Sequence, residues 1–174
     1  MNTVLAISGS CITACGISRL MLQRLDMEVV LNATLAGGVS VGSSSDLVVT
    51  GGTAMAIGGV AGIISALGFL HLNAFLQKKI KLHDTCGVHN LHGLPGVLGG
   101  VLGAVSASLA DSAFNSEEAL NNTFPKIGEG RSTSEQGWVQ LAALGISLGI
   151  SIGGGIISGF IASRFQEPDE LFDD

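Results

Sequence analysis

One carboxylate and two imidazoles, Asp84, His89 and His92, stand at the head of an apolar run that continues to about Ala110. A charge at the centre of a membrane helix costs on the order of 2.5 kcal/mol or more, so ionisable groups there face a bundle interior or an aqueous path. Helix positions three apart share a face, which makes His89 and His92 neighbours, and Asp84 falls at the helix entrance, where a carboxylate caps free N–H groups. A neutral imidazole has one donor and one acceptor nitrogen. It can therefore hand a small polar molecule along in hydrocarbon without carrying a fixed charge.

Plainer roles stand beside these. His92 could be a buried histidine satisfied by a neighbouring helix, and His89 could line a path or make an interhelical hydrogen bond. Asp84 could act as cap and dipole partner or take part electrostatically near the inner mouth. His83, beside the lysines, reads as interfacial. Cys86, His89 and His92 recur every three residues, and with Asp84 nearby they resemble a zinc ligand set. Positions i, i+3 and i+6 rotate around a helix, however, and converge poorly on a tetrahedral ion. No metal, cofactor or enzymatic activity is expected.

The elements that must position these groups are apolar helices. The 174 residues are 47% hydrophobic and 13% charged, and they include 26 glycines that lie inside the apolar runs. Glycine in such runs lets membrane helices approach closely, and runs near 20 residues are long enough to span a bilayer. The expected fold is all-α, a polytopic membrane bundle of about five transmembrane helices over residues 1–163, followed by an acidic cytoplasmic tail over 164–174.

The first expected span is Thr3 to Leu22, read as retained because no basic leader and cleavage-like site precede it. The second, Val29 to about Gly42, is interrupted by Asn32, Thr34 and Ser40. Asn32 and Thr34 are expected to hydrogen-bond across helices. A turn at Ser43 to Asp46 leads to the third span, Gly51 to about Leu76, which carries Gly58 and Gly62. The fourth is Asp84 to about Ala110, with Pro95 inside it. The fifth is Trp138 to about Ser163, with Trp138 as an interfacial anchor. Cys11, Cys15 and Cys86 all fall in expected helices and read as small buried residues, not disulfide partners.

The basic residues orient the bundle. Arg19, Arg24, Lys78, Lys79, Lys81 and Arg164, six of the eight Lys and Arg, fall on one side. That side is cytoplasmic by the positive-inside rule, which places the amino terminus outside and the carboxyl terminus inside. The hydrophilic connection Asp111 to Gly137 then faces outward, and Asn121, in Asn121-Asn122-Thr123, becomes a glycosylation acceptor. The net charge of −6 comes from that connection and the tail and does not form a binding face, so no nucleic-acid partner is expected.

The run DTCGVHNLHGLPGVLGG at 84–100 resembles the Rhesus-glycoprotein branch of the ammonium transporter/Rhesus family, and NATLAGGVSVG at 32–42 resembles an earlier helix motif of the same family. The resemblance covers nearly the whole chain. It implies a part of a fold with about eleven core helices in two inverted repeats, of which this chain matches the last five. The family's C-terminal pore histidine stands eight positions after a helix-entry aspartate, so the resemblance assigns that role to His92, with His89 belonging to the Rhesus-type version of the motif. It further implies ammonium or ammonia as the transported species and a multi-pass protein, expected at the plasma membrane. The expected assembly is a homotrimer or a hetero-oligomer with related Rhesus-type subunits. The first repeat, with the partner histidine, is expected to be missing. Two other readings remain: a non-conducting paralogue or assembly subunit, and an intramembrane zinc site.

Overall fold

A computed structural model describes residues 1–47, 50–110 and 117–165. Among these residues every regular element is helical. Helix α1 is Asn2–Leu22 and α2 is Met27–Val41, prolonged by a 3₁₀ turn at Gly42–Ser44. Helix α3, Gly51–Leu67, passes through a π-helical turn at Gly68–Leu72 into α4, Asn73–Ile80. A second π-helical turn, His89–Gly93, leads into α5, Leu94–Ser108. Short helices α6 (Glu117–Thr123) and α7 (Pro125–Gly128) precede the long α8, Thr133–Ala162.

Four stretches are long and apolar enough to cross a membrane: Asn2–Leu22, Gly51–Ile80, His89–Ser108 and Thr133–Ala162. The second expected span is the exception, since α2 has only 15 residues. It is nevertheless central, packing against α1, α3 and α5. The hydrophilic connection contains α6 and α7, while residues 111–116 of it and residues 166–174 of the acidic tail lie outside the described residues. The chain divides into two compact units, Met1–Leu141 and Ala142–Asp174.

Small residues set the spacing in the first unit. A Cβ on Gly58 would come within 1.9 Å of the Ala6 carbonyl oxygen, and one on Gly9 within 2.1 Å of the Met55 carbonyl oxygen. The backbones of α1 and α3 therefore touch, as small-residue motifs allow in membranes. Two core clusters are built from Ala6, Ala14, Ala33, Ala54 and Ala66 with Val29 and Val41, and a third from Leu47, Ala107, Ala110, Leu120 and Phe124.

Among the described residues polar side chains cross between these helices, and the bonds that Asn32 and Thr34 make are not the crossing ones. Asn32 donates to the Glu28 carbonyl at 2.9 Å and Thr34 to the Val30 carbonyl at 2.6 Å, both on their own helix. A polar side chain can satisfy itself on its i−4 carbonyl without any neighbour, which is why their presence did not imply a crossing bond. The crossing bonds come from Ser10, which donates to Ala33 O and accepts from the Gly37 N–H. Thr13 donates to Gly59 O at 2.9 Å, and Ser43 donates to Gly99 O at 2.8 Å.

Candidate functional site

The histidine helix begins later than the sequence suggested. Its first turn is reached only at Val88, because Gly87 takes a left-handed φ of 66° and turns the chain into the helix. Gly87 is required twice over, since a Cβ there would also meet the Phe69 ring at 2.1 Å. Cys86 consequently lies in a turn and is exposed, correcting its expected place as a buried helical residue. Cys11 and Cys15, by contrast, are half-buried on α1.

Asp84 caps this entrance with both carboxylate oxygens. Oδ1 accepts the Val88 N–H at 2.9 Å and Oδ2 accepts the His89 N–H at 2.8 Å. Two of the free donors at the helix start are thus satisfied by one negative group, on the end of the helix that favours it. The capping role is the geometry this residue takes. His83 is exposed, with Nδ1 3.4 Å from Gln77 Nε2.

The imidazoles ride on the π-helical turn. The Leu94 N–H bonds to the His89 carbonyl, five residues back, and Pro95 follows at the start of α5. Single π-helical turns occur often at functional sites, because the inserted residue re-aims side chains. His89 is half-buried, its Nδ1 3.1 Å from where a Gly93 Cβ would stand, so the bare Gly93 leaves room for the ring. His92 is exposed on the surface of the unit. The zinc alternative finds no support in placement, because Cys86 has left the helix that carries the histidines. Among the described residues no three His, Cys, Asp or Glu side chains group around a common point.

Two features were missed from the sequence. His71 sits on the π-helical turn Gly68–Leu72, in an open apolar cleft of about 590 Å³ whose lining includes Leu67, Phe75 and Leu94. An ionisable group in the third apolar run was its signal. Asn90, inside the histidine turn, is fully buried and lies against Gly68 of the other π-helical turn. Asn121, the glycosylation candidate, is half-buried at the end of α6, its Cγ 3.0 Å from where a Gly128 Cβ would stand. Trp138, at the outer edge of α8, is 70% exposed, as an interfacial anchor requires.

The family model for the Ammonium Transporter Family matches residues 1–167. Ammonium transporter Rh type B of Oryzias latipes is 44% identical over 164 residues, which are 92% of this chain and 35% of that protein. Ammonium transporter Rh type C of Xenopus laevis is 40% identical over 165 residues, covering 92% of this chain and 35% of that protein. Among solved structures, Nitrosomonas europaea Rh50, described with the Rhesus protein family of channels, superposes with a TM-score of 0.73 at 33% identity. That match covers 97% of this chain and 38% of that one. A sensor Amt protein shares the fold, with a TM-score of 0.68 at 23% identity. The chain thus spans about 35% of the length of these curated relatives.

Proposed function

Because the chain belongs to the Ammonium Transporter Family, we propose that it forms one wall of a path by which ammonium, or the ammonia derived from it, crosses a membrane. His92 is the principal pore imidazole, His89 its companion, and Asp84 the group that holds their turn in place. The observation that carries this reading is the histidine turn itself. Two imidazoles stand at the start of a membrane-length apolar stretch, and one ring is exposed on the surface of the helical unit, where a second wall can close over it.

The chemistry favours a neutral passenger. Moving a desolvated cation through hydrocarbon costs far more than moving a neutral hydrogen-bonding molecule, so ammonium gives up a proton to water at the mouth of the path and ammonia passes between imidazole nitrogens. The second wall comes from polypeptide beyond the described residues, in the same protein or in a neighbouring subunit. The protein is a multi-pass plasma-membrane protein with its amino terminus outside and its carboxyl terminus in the cytoplasm. Residues 1–163 form its transmembrane domain and 164–174 its tail. It works as a homotrimer or together with related Rhesus-type subunits, and Asn121 is its glycosylation acceptor.

The exposure of His92 also favours a second reading, in which this chain is an assembly subunit that conducts nothing. Stopped-flow alkalinisation of proteoliposomes facing an ammonium gradient separates the two. The chain is reconstituted alone and together with the six preceding spans of a Rhesus-type relative. Faster alkalinisation than in empty liposomes in either sample supports the path. Equal rates in all three, with co-purification of the two parts, support the assembly subunit.

A further inference from the structure

Asn90 lies between His89 and His92 in sequence but is directed away from His92, as two residues of separation on a helix require. Its side chain is 0% exposed, and neither Nδ2 nor Oδ1 has a hydrogen-bond partner among the described residues. Buried amides of this kind are almost always satisfied in folded proteins, and leaving one unpaired is costly.

The surroundings specify what satisfies it. Across the contact is Gly68, where a Cβ would come within 2.5 Å of Oδ1 and 3.0 Å of Cγ, so only glycine admits the amide here. Both contacting segments are π-helical turns, with the Asn73 N–H bonded to Gly68 O and the Leu94 N–H bonded to His89 O. One spot in the bundle therefore gathers the two amide hydrogens and the side-chain oxygen of Asn90, without a partner among the described residues. A cation such as ammonium can only donate and leaves the Nδ2 hydrogens unmatched, and an anion can only accept and leaves Oδ1 unmatched. A small neutral molecule with both capacities matches all of them.

We propose that the Asn90 amide binds a single buried neutral molecule of this class, water or ammonia, between the two π-helical turns. The site lies on the bundle side of the histidine turn, opposite the exposed His92, and its existence does not depend on flux through the proposed path. The bound molecule ties the turn carrying His89 and His92 to the one carrying His71. Asn90 is thereby a positioning residue for the imidazoles.

High-resolution structures of the protein in lipid nanodiscs, in ammonium-free and in ammonium-saturated buffer, test this. Density within hydrogen-bond distance of the Asn90 amide in both buffers identifies water, and density only with ammonium identifies ammonia. No density in either, or an amide bonded to a protein group outside the described residues, overturns the proposal. Thermal unfolding of Asn90→Leu gives an independent sign. Loss of a bound molecule lowers Tm by at least about 3 °C. An unchanged or higher Tm overturns the proposal, because replacing a truly unpaired amide with an apolar group of similar volume is neutral or stabilising. If Asn90→Leu does not fold, the wild-type density decides alone.

Discussion

Removing the Asp84 carboxylate takes away the acceptor of two backbone donors at once. The Val88 and His89 N–H groups, held at 2.9 and 2.8 Å, lose their partner in Asp84→Ala. Hydrogen bonds to a charged acceptor are worth about 1.5 to 3 kcal/mol, but Val88 is exposed and water can replace its bond. The half-buried His89 N–H therefore dominates, and loss of the cap destabilises the first turn by about 2 kcal/mol. That corresponds to amide hydrogen exchange at Val88 and His89 roughly 30-fold faster, because a factor of ten is about 1.4 kcal/mol. Asp84→Asn keeps one oxygen acceptor and loses the charge, so about 1 kcal/mol and a roughly fivefold acceleration are expected. The assay is exchange followed by mass spectrometry on the protein in nanodiscs, read on the peptide spanning 84–93. Exchange within twofold of wild type in Asp84→Ala would show that the carboxylate does not hold the histidine turn.

Other substitutions probe the elements that carry the site. Gly58→Val forces a side chain against the Ala6 carbonyl, where even a Cβ comes to 1.9 Å, and is expected to cost about 3 kcal/mol or to separate α1 from α3. A thermal melt matching wild type would contradict that packing. Gly87→Ala must adopt a φ of 66° and displace the Phe69 ring, so it should lower Tm, with partial recovery in the Gly87→Ala, Phe69→Ala double variant. A double variant no more stable than the single one would remove the ring contact from the explanation. Cys86, exposed beside the basic side of the bundle, should react with a membrane-impermeant maleimide added from the cytoplasmic face, at least tenfold faster than Cys11 or Cys15. Labelling only from the opposite face would invert the proposed orientation.

The all-helical membrane character was legible because it rests on composition and run length, which survive any detail of packing. Gly58, four before Gly62, signalled close helix approach, and the structure presses both against α1. Asp84 as a cap was legible in type but not in register. The helix starts at Val88 because Gly87 adopts a positive φ, and nothing in the apolar pattern distinguishes that from a helix starting at Asp84. The same shift carries Cys86 out of the helix. Neither π-helical turn could be read, since one inserted residue leaves the 3.6-residue pattern on each side intact. Asn90 was hidden for that reason, its burial depending on Gly68, 22 positions earlier. Among the described residues Asn32 and Thr34 bond carbonyls of their own helix, as a polar side chain within a membrane helix can do as well as bond a neighbour. Ser10 and Thr13, equally visible in the first span, make the crossing bonds instead.

Ammonia flux through His92→Ala is the most direct measurement. Wild-type and variant proteins, together with the six preceding spans of a Rhesus-type relative, are reconstituted at equal density, checked for the same oligomeric state, and compared by stopped-flow alkalinisation under an ammonium gradient. A pore-lining imidazole predicts a flux at least about tenfold lower, or an altered ratio of ammonia to methylamine permeation, with assembly intact. Wild-type flux and wild-type selectivity in His92→Ala would contradict the account.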